Sequence, residues 1–154
     1  MIDIGISHTD RKQITQELTK LLSDTYSAYL MAHNFHWNVT GPLFQSLHQI
    51  FEEEYTEMAL AVDQIAERIR ALGEKVPASF KAFSHYSSID IPDTFLEADE
   101  MIKTMVKAHE SIVRTARHAM SVATNANDEP TADLLTDRMM VHEKAAWMLR
   151  SMAE

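Results

Sequence analysis

The sequence predicts an all-α fold, a bundle of four long helices, and two observations carry that expectation. Apolar residues return at helical spacing through four long stretches of the 154-residue chain. Only three glycines and four prolines are present, at Gly5, Gly41-Pro42, Gly73, Pro77, Pro92 and Pro130, and they punctuate those stretches rather than interrupt them. With 45% apolar residues the chain reads as one domain, residues 1–154, able to bury a core without cross-links.

The first helix is expected from Thr9 or Asp10 to about Asn38, because Ile14, Leu18, Leu21, Thr25, Ala28, Ala32 and Phe35 share a stripe. Gly41-Pro42 ends it. A second runs from about Leu43 to Leu72, with Leu47, Phe51, Met58, Val62, Ile65 and Ile69 inward and Gly73 in the C′ position. The short link makes these two antiparallel neighbours. Residues 73–92 form a long connection with a helical turn around Ser79 to His85, ending at Ile91-Pro92. Helix three is expected from about Asp93 to Ala123, on a stripe of Phe95, Ile102, Met105, His109, Ile112, Ala116 and Met120. After a polar break at 125–129, Pro130 opens the last helix, which continues to about Met152. A connection of about 20 residues extends ~66 Å and can retrace the ~45 Å of a 30-residue helix. That long second crossover is the connectivity of ferritin-like bundles.

Cysteine is absent, which excludes disulfides, thiolate metal sites and thiol catalysis and leaves nitrogen and oxygen as the only strong metal donors. No basic-then-apolar leader opens the chain, and no segment approaches the ~20 apolar residues that span a bilayer. A soluble cytoplasmic protein without a membrane partner is the expectation. The net charge of −9 disfavours phosphate backbones and suits cations.

The chemistry-bearing residues are His36, His48, Glu52, Asp63 and Glu67. His48 with Glu52, and Asp63 with Glu67, are i, i+4 pairs on one face of the second helix, yet His48 and Asp63 lie roughly 22 Å apart along its axis. Glu52 to Glu57 also reads as a solvated acidic face. No histidine has Glu three residues upstream, so the Glu-x-x-His pair of intrachain di-iron bundles is missing. A two-fold axis crossing the helix near Glu57 or Met58 would set His48 and Glu52 of one chain beside Asp63 and Glu67 of another, giving two equivalent sites per dimer.

The segments 34–41 (Asn-Phe-His-Trp-Asn-Val-Thr-Gly), 47–52 (Leu-His-Gln-Ile-Phe-Glu) and 63–68 (Asp-Gln-Ile-Ala-Glu-Arg) resemble the Dps mini-ferritins. The similarity continues through 131–135 and 147–149 and so covers essentially the whole chain. The resemblance implies a hollow homo-dodecamer with ferroxidase sites between two-fold-related subunits, where Fe²⁺ is oxidised, preferentially by hydrogen peroxide, and stored as ferric mineral. Matched residue by residue, the family's ligands and catalytic positions fall on His36 and His48 from one chain and Asp63 and Glu67 from another. Glu52 stands where the family often has Asp, and reaches iron directly or through water. Trp37 matches a tryptophan beside the site. Asp128, Asp133 and Asp137 match acidic positions lining the family's three-fold pores; for the first of these the helix dipole is the competing explanation.

The other groups read more plainly. Glu53 and Glu57 serve equally well as mineral-nucleating wall or solvated face. His109 and His142 lie on apolar stripes as hydrogen-bonded packing residues, His33 tunes the site from one turn before His36, and His8, His85 and His118 are surface residues. The ten methionines, Met139, Met140, Met148 and Met152 among them, read as core fillers. Many Dps relatives bind DNA through lysine-rich tails, but the roughly eight residues before the first helix hold no Lys or Arg and helix four runs almost to Glu154. Direct DNA binding is therefore not expected. The alternatives are a nucleoid-associated DNA-binding protein with a mainly physical protective role, and a structural bundle with incidental metal sites.

Overall fold

The computed structural model describes all residues 1–154. It contains five helices and no strand: α1 His8–Asn38, α2 Phe44–Ala71, α3 Phe80–Tyr86, α4 Ala98–Asn125 and α5 Glu129–Met152. The four long ones form the bundle. α1 lies against α2 and against α4, α4 lies against α5, and the short α3 rests on α1. Ser7 caps α1 by accepting from the Asp10 amide, and Gly73 follows α2 at φ 106°, where a Cβ would come within 2.6 Å of the Ile2 side chain. The core runs the length of the bundle through Leu18, Leu22, Phe51, Ile65, Met105 and Ile112.

Two expectations fail in instructive ways. The third long helix starts at Ala98, not Asp93, and Phe95 is 86% exposed rather than inward. Glu97 is still extended at ψ 159°, and the acids that suit a helix start are Asp99 and Glu100. An extended 93–97 also adds reach to the crossover, since a strand-like residue spans about twice the rise of a helical one. Of the methionines, Met31, Met58, Met101 and Met105 fill the core, but Met140 and Met148 on α5 are 66% and 49% exposed.

Polar contacts fix what apolar contacts leave free. Buried Asp24 on α1 accepts hydrogen bonds from the Ser88 amide (2.6 Å), the Ser87 and Ser88 hydroxyls and the Thr115 hydroxyl (2.6 Å), and so pins the crossover to both α1 and α4. At the start of α5, Asp128 caps the helix by accepting from the Thr131 amide, while Arg68 of α2 donates to its carboxylate at 2.7 Å.

The seam between α2 and α5 is incompletely filled. A cavity of about 290 Å³ lies there, walled by Ile50, Met58, Val141 and Met148 and edged by Glu54 and His109. A closed ring of polar contacts spans it. Glu57 on α2 binds the Arg138 guanidinium through both oxygens; Arg138 donates to His142 Nε2 at 2.8 Å; His142 Nδ1 lies 2.8 Å from His109 Nδ1; and His109 Nε2 lies 3.2 Å from Glu54, back on α2. Because an arginine only donates, His142 Nε2 must accept, which places the proton of a neutral His142 on Nδ1. That proton goes to His109 Nδ1, so His109 carries its own on Nε2, facing Glu54. Both histidines are hydrogen-bonded packing residues with no lone pair left for a metal.

Burial, then His109, then Arg138 hold His142 well below the usual histidine value. The unfolded chain therefore takes up a proton near pH 6.5 that the folded chain refuses, and stability falls as pH drops through and below that point. We expect the melting temperature to decline from pH 7 toward pH 5, and His142→Phe to flatten that decline. A pH profile identical in the two proteins would contradict this assignment of the charge states.

Candidate metal centre

α1 ends and α2 begins at a short turn, so the last turn of one helix meets the first turns of the other. This junction brings His36 and His48 together. Their rings stack with centroids 3.7 Å apart and planes 13° apart. His36 Nδ1 lies 2.6 Å from the His48 carbonyl, and His48 Nδ1 lies 2.7 Å from the His36 carbonyl. A carbonyl only accepts, so each neutral ring carries its proton on Nδ1 and keeps a lone pair on Nε2. The His36 carbonyl is available because it sits in the last turn of α1, where carbonyls lack a helical donor. The result is a paired set of imidazole nitrogens oriented by backbone, the second-sphere arrangement that metal-binding histidines require.

The carboxylates stand differently. Glu52 is exposed one turn beyond His48, and both line an open groove of about 760 Å³ along the outer face of α2, with Gln45, Gln49 and Leu60. Asp63 and Glu67 are exposed on the same face, three to five turns further along. Within one chain no three histidine or acidic side chains converge at metal-binding range. The sequence-predicted ligands thus form two groups separated along α2: His48 and Glu52, joined by His36 from the end of α1, at one end, and Asp63 and Glu67 at the other.

An aromatic cluster backs the histidine pair. Trp37 is 66% exposed and stacks on His33 at 4.9 Å with planes 3° apart. His33 in turn lies 4.1 Å from the Tyr55 ring, which is edge-on to His36 at 5.3 Å. Burial and then neighbouring His36 push the His33 value down, which favours the uncharged ring beside the pair. Burial, then Glu52 and Tyr29, push the Tyr55 phenol up, so it remains protonated at neutral pH. Sequence reading missed Tyr55, although its i+3 spacing from Glu52 places it within a turn of the ligand helix face.

Of the three acidic residues matched to a pore, Asp128 is corrected. It is 1% exposed, and its carboxylate is taken up by Arg68 and the cap of α5, so it presents nothing to a channel. Asp133 and Asp137 are exposed, one turn apart on α5. Glu57 is likewise engaged by Arg138, while Glu53 stays exposed.

The chain matches the Ferritin-like domain family over residues 15–154. It is 41% identical over 140 residues to DNA protection during starvation protein 2 of Bacillus anthracis, covering 91% of this chain and 96% of that one. The Dps protein of Bacillus brevis superposes with a TM-score of 0.92 at 34% identity, over 95% of this chain and 98% of the other. The Dps protein of Vibrio cholerae O1, described as a member of a broad superfamily of ferritin-like diiron-carboxylate proteins, superposes over the whole of both chains with a TM-score of 0.93 at 25% identity. A crossover bundle with a histidine pair at its α1–α2 turn and this likeness along nearly its full length make the chain a member of the ferritin-like family, within its Dps group.

Proposed function

We propose that this protein is a ferroxidase and iron-storage shell, which oxidises Fe²⁺ at centres shared between two-fold-related subunits and holds the ferric product inside a hollow dodecamer. The observation that carries the reading is the His36–His48 pair, whose mutual backbone bonds leave two Nε2 lone pairs free. Nitrogen and carboxylate donors without thiolate suit ferrous iron. Pairing two α2 helices antiparallel about an axis near Glu57 and Met58 sets His36 and His48 beside Asp63 and Glu67 of the partner subunit. Glu52 adds a fifth ligand, directly or through water. Exposed Phe44 and Leu60 on this face of α2 give the pairing apolar surface to bury.

Iron is substrate and cargo in this scheme. Two ferrous ions each give one electron to hydrogen peroxide; with two waters this yields two ferric oxyhydroxide units and four protons, and no hydroxyl radical is released. The chain's part is to bind and orient: the histidines arrive with fixed tautomers, the carboxylates offset the cation charge, and the Tyr55 and His33 rings pack behind the pair. Asp133 and Asp137 would repeat around a three-fold channel, where a ring of carboxylates concentrates Fe²⁺. Their i, i+4 repulsion costs the helix only a few tenths of a kcal/mol.

Replacing a ligand should do more than the about 10–100-fold typical of outer-sphere changes. Peroxide-dependent Fe²⁺ oxidation, followed by ferric absorbance after anaerobic loading, should be abolished in His48→Ala and unchanged in His118→Ala, a surface histidine. Equal rates in the two variants would sink the assignment. Asp133→Asn combined with Asp137→Asn should raise the KM for Fe²⁺ and leave the melting temperature near wild type. Asp128→Asn should do the reverse, lowering stability by about 1–3 kcal/mol through the lost cap and ion pair. A KM effect confined to Asp128→Asn would restore it to the channel.

A further inference from the structure

The ring through Glu57, Arg138, His142, His109 and Glu54 stands outside the ligand set, and its place on α2 is telling. Its two anchor points lie between the ligand pairs 48/52 and 63/67, whose common midpoint falls between residues 57 and 58. At about 100° per residue, Glu54 projects from the side of α2 turned away from His48 and Asp63, while Glu57 also borders the groove that His48 and Glu52 line. The ring therefore ties the middle of the ligand helix to α5 and α4.

We infer that Arg138, His142 and His109 are positioning residues for the iron centre, which hold α2 in axial register through this ring. The inference rests on the inter-subunit reading above. Two features make the ring the part that ties the register of α2 to α5, beyond the packing of α2 on α1. Beside it lies a cavity of about 290 Å³, so side-chain contact with α5 does little to stop α2 from sliding there. Its Arg138–His142 and His142–His109 links are directional, because Arg138 dictates both histidine tautomers and each of these two bonds has one donor and one acceptor; His109 Nε2 only approaches Glu54, at 3.2 Å, without completing a hydrogen bond.

Register matters twice over. When two α2 helices pair antiparallel, a slide of α2 by a distance d moves His48 by d in one direction and Asp63 of the partner subunit by d in the other. The mismatch at the shared centre is 2d. Functional constellations tolerate about 0.5 Å, so a slip of a quarter of an ångström, trivial for core contacts, is already at that limit. A bundle that builds its centre across a two-fold needs its ligand helix held more tightly than one that encloses its centre within a chain.

The test uses the assembled shell and Co²⁺, a redox-inert probe read by its visible ligand-field absorbance, alongside the KM and kcat for Fe²⁺. Arg138→Met removes the link to both Glu57 and His142, and His142→Phe removes the centre of the ring while keeping its bulk. Each should assemble, bind Co²⁺ about tenfold or more weakly and raise the KM, with Arg138→Lys recovering part of the loss. Wild-type Co²⁺ affinity and KM in both Arg138→Met and His142→Phe overturn the proposal. His48→Ala is run beside them: if it too binds Co²⁺ like wild type, the shared centre itself is wrong, and the positioning role falls with it. If Arg138→Met does not fold, His142→Phe alone decides.

Discussion

A straight α-helix holds its two ends apart, and α2 carries iron-competent side chains at both. His48 and Asp63 stay about 22 Å apart along the axis however the side chains rotate. Everything else about the centre follows from that rigidity. The histidine end is completed by α1, whose last turn brings His36 against His48; the acidic end has no such neighbour, and Asp63 and Glu67 point to solvent. In the proposed function, a helix with half a centre at each end, in opposite order, is self-complementary under a two-fold, so that two copies would close two centres at once.

The bundle interior is arranged around the demands of that one helix. α1 supplies the apolar side, its Leu18, Leu22 and Phe35 sharing one buried cluster with Phe51, Met58 and Ile65 of α2. The α5 side mixes apolar walls with two charged anchors, Arg68 on Asp128 and Arg138 on Glu57. Buried charges of this kind contribute little to stability compared with well-packed apolar side chains, and their use lies in specifying one arrangement. Here the arrangement specified is the height and rotation of α2.

The helix count, the α1–α2 hairpin and the long crossover were legible in the chain because they rest on local signals: apolar periodicity, Gly41-Pro42, Gly73 and the Asp128–Pro130 start. The division of ligands into two groups was legible for the same reason, since rise per residue converts spacing into distance. What could not be read depends on partners remote in sequence. Asp128 looks like one more acid at a helix start until Arg68, 60 residues away, is found against it. Arg138 looks like a surface residue until it is seen to bind Glu57, 81 residues earlier. Phe95 keeps to the helical period of α4 but has nothing in the chain to cover it, so the period extends past the real helix start. The reciprocal bonds that set the His36 and His48 tautomers involve carbonyls, which every residue has and no sequence pattern marks.

The central claim is that each centre takes its histidines from one chain and its carboxylates from another. Mixing subunits tests it most directly. His48→Ala homodimers and Asp63→Asn homodimers each lack an intact centre, but in a mixed dimer the intact histidines of one chain meet the intact carboxylate of the other at one of its two centres. Co-assembly of the two inactive variants in equal amounts, with random pairing, should therefore restore about a quarter of the wild-type peroxide-dependent iron oxidation. No recovery in verified mixed shells would mean that the ligands of each centre come from a single chain.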